Sequence, residues 1–216
     1  MGVIYPKKCI LCGETLPLAG TGAALLCPDC ARAVRRDYRE TSGVRIPDTD
    51  GAVASLRYTG RVAEAMKRFK FSHYQHYAPW FAAQLTAALT AYLDAWQPDL
   101  VTFIPIGLVR WYQRGYNQSE LIAADVAGQL GLPLVPLLKK RRFVRKQSAR
   151  QGKAARTQNI KHAFLPMPDH DLTGKNVLLI DDIITTGATL SAAADTLRAM
   201  GAARVYAAAP TVARHK

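Results

Sequence analysis

The chain has 216 residues, 49% of them hydrophobic, and its 29 Lys and Arg against 16 Asp and Glu leave a net charge of +13. That length accommodates one α/β domain with a small appendage, and such a domain buries roughly 70% of its unfolded surface without a covalent staple. Residues 1–8 lack the apolar core of a secretory signal, and the longest apolar stretch, Ala78–Trp96, is interrupted by Gln84, Thr86, Thr90 and Asp94. Membrane insertion is therefore not expected, and a cytoplasmic location is.

All four cysteines fall in the first thirty residues: Cys9, Cys12, Cys27 and Cys30, spaced C-x2-C, fourteen residues, C-x2-C. In a reducing compartment this spacing indicates a tetrahedral thiolate zinc site rather than two disulfides or an iron–sulfur cluster. Four thiolates close the zinc sphere, so the role is structural, worth roughly 10–16 kcal/mol of folding energy to so small a piece. Residues 1–36 are taken as this zinc ribbon and a short helix. Lys7, Lys8, Arg32, Arg35 and Arg36 surround it, which suits nucleic-acid contact, but small ribbons also serve as protein docking pieces.

Residues 37–50 are polar, with Gly43 and Pro47, and are expected as a linker. Ala52–Tyr58 is β-like. Val62, Ala65, Met66 and Phe69 then share one helical face, flanked by Lys67, Arg68 and Lys70. Phe81, Leu85, Leu89, Tyr92 and Trp96 line the core-facing side of one helix over 78–96. Asp99–Ile106 is the first strand of a parallel sheet. Asn117, with Glu120 three residues on, forms a capping box for a helix that Gly131-Leu132-Pro133 stops. Leu134–Leu138 is a short strand. The segment 139–163 has helical potential without a clear apolar face and is expected to be mobile until a ligand binds. Strand 177–181, helix 188–200 and strand Arg204–Ala208 complete a doubly wound α/β domain over 51–216.

The run VLLIDDIITTGAT, 177–189, carries the chemistry. Val177–Ile180 is continuously apolar, as in a strand buried on both faces. Asp181 and Asp182 follow at its carboxyl end, where open α/β sheets bind ligands. Thr185, Thr186, Gly187, Ala188 and Thr189 then supply hydroxyls and backbone N–H groups at a helix N-terminus, a seat for a phosphate. Carboxylates for a cis-diol one loop away from a phosphate seat fit a sugar phosphate. Neither GxxxxGK[ST] nor GxGxxG occurs, so triphosphate and dinucleotide readings have no motif.

These thirteen residues resemble the phosphoribosyl pyrophosphate motif of type I phosphoribosyltransferases. Such a transferase needs a second site for the displaced diphosphate. The turn Ile104-Pro105-Ile106-Gly107, followed by Arg110 and Arg114 ahead of a helix N-terminus, suits a diphosphate carrying Mg²⁺. Between Val126 and Pro168 there is no acidic residue but ten Lys or Arg, a block that fits a diphosphate, a nucleic acid or a merely solvated surface.

Taken whole, the chain resembles the ComF family, competence-associated proteins with a four-cysteine ribbon on a phosphoribosyltransferase-like domain. The four cysteines match, as do Tyr58, Gly60, Lys70 and Phe71 of one segment, the R-G-[FY]-N-Q signature at Arg114–Gln118, and Arg156, Asn159, Ala163 and Phe164 of a later pattern. Gly107 replaces a family proline, and the T-x-x-Q element is met only by Gln147 or Gln151 with shifted spacing. Both departures fall on catalytic loops, so they bear on turnover more than on binding.

The resemblance implies a type I phosphoribosyltransferase-like fold and binding of phosphoribosyl pyrophosphate with Mg²⁺. It implies catalytic roles for Asp181, Asp182 and Arg114, with ligand contacts from Thr185–Thr189, Pro105, Ile106 and Arg110. It also implies a part in natural transformation and the handling of single-stranded DNA, for which Lys139, Lys140, Arg141, Arg142, Arg145, Lys146 and Arg150 would supply a basic groove. Trp111, Tyr112, Phe143, Phe69, Phe71 and Tyr74 are aromatic platforms near basic residues. A DNA helicase or other competence proteins are the partners implied for the ribbon. Whether the chain turns over an acceptor, and which, stays open.

Overall fold

The computed structural model describes residues 7–16, 25–40, 43–141 and 163–213. Arg142, Arg145, Lys146, Arg150, Phe143, Arg156 and Asn159, and most of the segment expected to be mobile, lie outside the described residues.

In chain order come α1 (Pro28–Ala33), a π-type turn (Val34–Tyr38), β1 (Gly51–Arg57), α2 (Gly60–Phe71) and a 3-10 turn (Gln75–Tyr77). α3 (Ala78–Leu89), α4 (Leu93–Trp96), β2 (Leu100–Phe103), α5 (Leu108–Arg114) and α6 (Gln118–Leu130) follow. The chain then forms β3 (Leu138–Lys140), β4 (Phe164–Pro166), β5 (Asn176–Ile180), α7 (Ala188–Ala199) and β6 (Arg204–Val212). Four strands make an all-parallel sheet in the order β1-β6-β5-β2, while β3 and β4 pair antiparallel beside it.

The period of two along each strand divides the core. Leu178, Ile180, Tyr206 and Ala208 face one side, packed with Phe81 and Leu85 of α3 and Ile122 and Val126 of α6. Val177, Leu179, Ala207 and Ala209 face the other, packed with Leu190, Ala193 and Leu197 of α7. This is the expected parallel sheet flanked by helices.

Several elements differ from expectation. The short strand expected at Leu134–Leu138 forms instead at Leu138–Lys140, with Leu134 making only an isolated bridge to Val101, and the first strand of the parallel sheet is β1, ahead of β2 at Leu100–Phe103. The single helix over 78–96 is two: α3 ends at Leu89 and α4 restarts at Leu93. The break turns Trp96 flat onto Tyr206, ring centroids 4.4 Å apart at 7°, and leaves Tyr92 41% exposed instead of in the core. β6 runs on to Val212 past Pro210. A proline suits no fully paired strand, but β5 has ended opposite Ala208, so the ladder continues on the β1 side. At α6, Asn117 caps as expected, its Oδ1 accepting from Ser119 N at 3.2 Å. Glu120 makes no reciprocal bond among the described residues.

The cysteine segment joins the main core: Ile10 and Leu11 are buried with Met66 and Phe69. Part of the segment expected as a linker pairs with β1, Arg39 bridging Leu56 and Val44 bridging Ala52. α2 does not lie along a sheet face. Just before it, Tyr58 N bonds Val212 O at the end of β6; near its close Lys70 meets Asp182 beyond β5, and Phe69 O accepts from Tyr116 OH after β2. The helix thus starts beside the carboxyl ends of β1 and β6 and closes beside those of β5 and β2, where the motif emerges. Among the described residues no helix is long and apolar enough to cross a membrane.

Candidate functional site

Asp181 and Asp182 leave the carboxyl end of β5 beside the close of α2. Asp181 Oδ1 accepts from Ser119 Oγ at 2.9 Å and from the Asp182 N–H at 2.8 Å. Asp182 Oδ1 accepts from Lys70 Nζ at 2.8 Å, and its carbonyl accepts from Thr211 Oγ1 at 3.0 Å. Burial and the adjacent Asp182 charge push Asp181 up to about 7, against the pull of the Asp182 N–H, Ser119 and Lys70. The two acids are therefore unequal, one ion-paired and one near its titration point at neutral pH.

The loop that follows is tied to the sheet at Ile184, whose N–H bonds Thr211 O at 2.9 Å. Thr185 and Thr186 are exposed, and the N–H groups of Thr185, Thr186, Gly187 and Thr189 meet no acceptor among the described residues. Gly187 caps α7 with φ +77°, and a Cβ there would lie 3.1 Å from Ile46. Glycine is thus required by backbone angle and by space. Of the five residues expected as a phosphate seat, Thr185, Thr186 and Gly187 form a bend that leads into Ala188 and Thr189, the first two residues of α7.

Asn117 Nδ2 donates to Ile104 O at 3.0 Å, fixing the start of the second turn. Beyond it a cavity of about 1040 Å³ is lined by Pro105, Ile106 and Arg110 on one side and Lys139, Lys140 and Arg141 on the other. Burial and Arg110 push the Lys140 ammonium down, opposed by Asp181. Three of the residues expected to meet nucleic acid therefore share a cavity with the expected diphosphate turn. Arg114 is placed apart from that cavity: it donates to Gln118 Oε1 at 2.8 Å, stacks 4.9 Å over Phe71 and feels the charge of Asp182. α5 itself buries none of its residues; Trp111 is 49% and Tyr112 78% exposed.

Lys70 and Ser119 were not expected at the acidic pair. Each is brought there across a long stretch of chain, 112 and 62 residues respectively, and no local spacing marks either.

The four cysteine Sγ atoms lie within 4.8 Å of one another, with Cys12 and Cys27 at 3.7 Å. A tetrahedral ion with bonds of about 2.3 Å requires an edge of about 3.8 Å. Burial pushes the Cys9 thiol up, but the N–H groups of Cys12, Cys27 and Leu11 pull it net down to about 7. Burial pushes Cys12 up to about 12, so four thiolates coexist here only around a cation. The donor set fits a metal ion.

A phosphoribosyl transferase domain model matches residues 117–216, from the cap of α6 through β6. Competence protein F of Haemophilus influenzae is 28% identical over 221 residues, covering 90% of this chain and 92% of that protein. The DNA utilization protein YhgH of Salmonella typhimurium is 28% identical over 225 residues, covering 93% and 94%. Competence protein ComFC of Bacillus subtilis is 28% identical over 188 residues, covering 82% and 73%. These likenesses support membership of the ComF family. The ComF signature Arg114–Gln118 forms the end of α5 and the cap of α6, beside the acidic pair. Gly107, where the family pattern has proline, has φ −76°, an angle proline itself adopts.

Proposed function

We propose that the protein binds phosphoribosyl pyrophosphate, as its magnesium complex, across the carboxyl edge of the sheet. The observation that carries this is the pairing of two carboxylates at the end of β5 with a turn in which the N–H groups of Thr185, Thr186, Gly187 and Thr189 meet no acceptor among the described residues. Asp181 and Asp182 accept hydrogen bonds from the ribose hydroxyls, and Thr185–Thr189 hold the 5′-phosphate. Arg110 and Lys140 line the cavity that would take the diphosphate, while Arg114, apart from that cavity, adds positive charge beside Asp182.

In a transferase reaction a nucleophile would attack the anomeric carbon as the diphosphate leaves with the bonding electrons. The carboxylate pair would favour the positive charge developing on the sugar, and the arginines the charge on the leaving group. No side-chain nucleophile is required, and no acceptor is specified by the residues present. Zinc is the metal that best suits four thiolates.

The relatives' names, competence protein and DNA utilization protein, suggest a part in DNA uptake and natural transformation. A second reading, single-stranded DNA binding, is favoured by Trp111 and Tyr112 standing exposed beside Arg110 and Arg114. A third role for the ribbon, docking a DNA-translocating partner, follows from the same context.

Calorimetric titration of phosphoribosyl pyrophosphate with Mg²⁺ into the wild type and into Asp181→Asn/Asp182→Asn tests the ligand. Binding by the wild type that is lost in the folded variant supports it. No heat from a folded, zinc-loaded wild type sinks it and makes single-stranded DNA, across a salt series, the main line.

A further inference from the structure

The ammonium on Asp182 has no place in the motif that supplies the carboxylates. Lys70 and Asp182 side chains are 15% and 11% exposed, so their contact is shielded from water. Lys70 is also held in place by its neighbours along α2. Arg68 donates to Ile10 O and Leu11 O at 2.7 and 3.1 Å, and Phe69 O accepts from Tyr116 OH. Among the described residues, the charged groups that act on the acidic pair are Lys70 from α2, Arg114 from α5 and Lys140 from β3. Ser119 from α6 adds a neutral donor. Among the described residues, only Lys70 makes an ion pair with either carboxylate.

We propose that Lys70 is a positioning residue for the diol site: it pins one oxygen of Asp182, leaves the other for the sugar, and balances the charge of the carboxylate pair. This rests on the sugar-phosphate reading above. A lone pair of adjacent carboxylates in a half-buried site repels itself, and one member takes up a proton. A protonated acid offers fewer acceptors to a diol. The Lys70 charge opposes that proton, since it pulls Asp181 down while burial and Asp182 push it up.

The test compares wild type, Lys70→Met and Lys70→Arg. Asp181 is titrated in the ligand-free proteins by carboxyl-carbon NMR, and phosphoribosyl pyrophosphate with Mg²⁺ is titrated calorimetrically from about pH 6 to about pH 9. In Lys70→Met the Asp181 midpoint rises above that of the wild type. Ligand affinity near neutral pH falls on the order of tenfold and recovers as pH rises, and Lys70→Arg restores both. An unmoved Asp181 midpoint overturns the proposal, as does a binding loss equal at every pH that Lys70→Arg does not repair. Should the wild type not bind the ligand, the sugar-phosphate reading fails by itself, and the Asp181 midpoint alone decides the role of Lys70.

Discussion

Arg68 donates to the carbonyl of Ile10 at 2.7 Å, inside the first cysteine turn, two residues before Lys70 reaches Asp182. Arg61 on the same helix donates to Cys30 Sγ at 3.2 Å. One helix therefore touches both cysteine pairs and the acidic pair.

Chelating the metal should loosen these contacts of α2. Removing zinc is expected to lower the thermal unfolding midpoint, and Arg68→Met to do so with the metal in place. Each hydrogen bond from a charged donor that is lost is worth about 1.5–3 kcal/mol. Differential scanning fluorimetry with and without a chelator, with zinc release followed colorimetrically, measures both effects. Identical melting of loaded and stripped protein would deny the cysteines a structural role.

Asp181 makes stability pH-dependent. Its folded-state value of about 7 lies above the ordinary carboxylate range. The native state therefore holds a proton that the unfolded chain releases near pH 4, and this group's contribution falls as pH rises from about 4 to about 7. Asp181→Asn keeps an acceptor for Ser119 and removes the titration. Its unfolding midpoint should match the wild type near pH 4 and exceed it near pH 8, by at most about 4 kcal/mol in stability. Parallel curves for the two proteins across that range would contradict the assignment.

Gly187→Val tests the phosphate turn. A side chain at φ +77° costs about 1–2 kcal/mol, and Ile46 stands 3.1 Å from the new Cβ. Stability is expected to fall by that amount or more, and ligand heat to disappear. A variant that is fully stable and binds normally would mean the turn is not the phosphate seat.

Trp111→Ala and Tyr112→Ala address the DNA reading. Both rings are exposed on a helix without buried residues, so folding should be unaffected. Loss of stacking should weaken single-stranded DNA by about 1–3 kcal/mol per base, read by fluorescence anisotropy at fixed salt. Affinity unchanged in the double variant would remove α5 from any DNA surface.

The motif 177–189 was legible because its parts are adjacent in sequence: a strand, two acids and a turn form locally, and the structure keeps them so. The same holds for Asn117 as a cap and for the cysteine pairs. The break in the helix over 78–96 is not marked locally: beyond it Trp96 stacks on Tyr206, more than a hundred residues away in the chain. Pro210 concealed the end of β6 for a similar reason: whether a proline is tolerated depends on where the neighbouring strand stops.

By itself the sequence determined the alternation of strands and helices, the thiolate set, and the carboxylates with their turn, because each rests on periodicity or close spacing. Only the tertiary structure decided which cation meets Asp182, that Ser119 serves Asp181, that Arg110 and Lys140 share a cavity while Arg114 turns to Phe71, and that α2 closes beside the ends of β5 and β2. Those contacts join residues far apart in the chain, and chain folding alone sets the distances over which charges act.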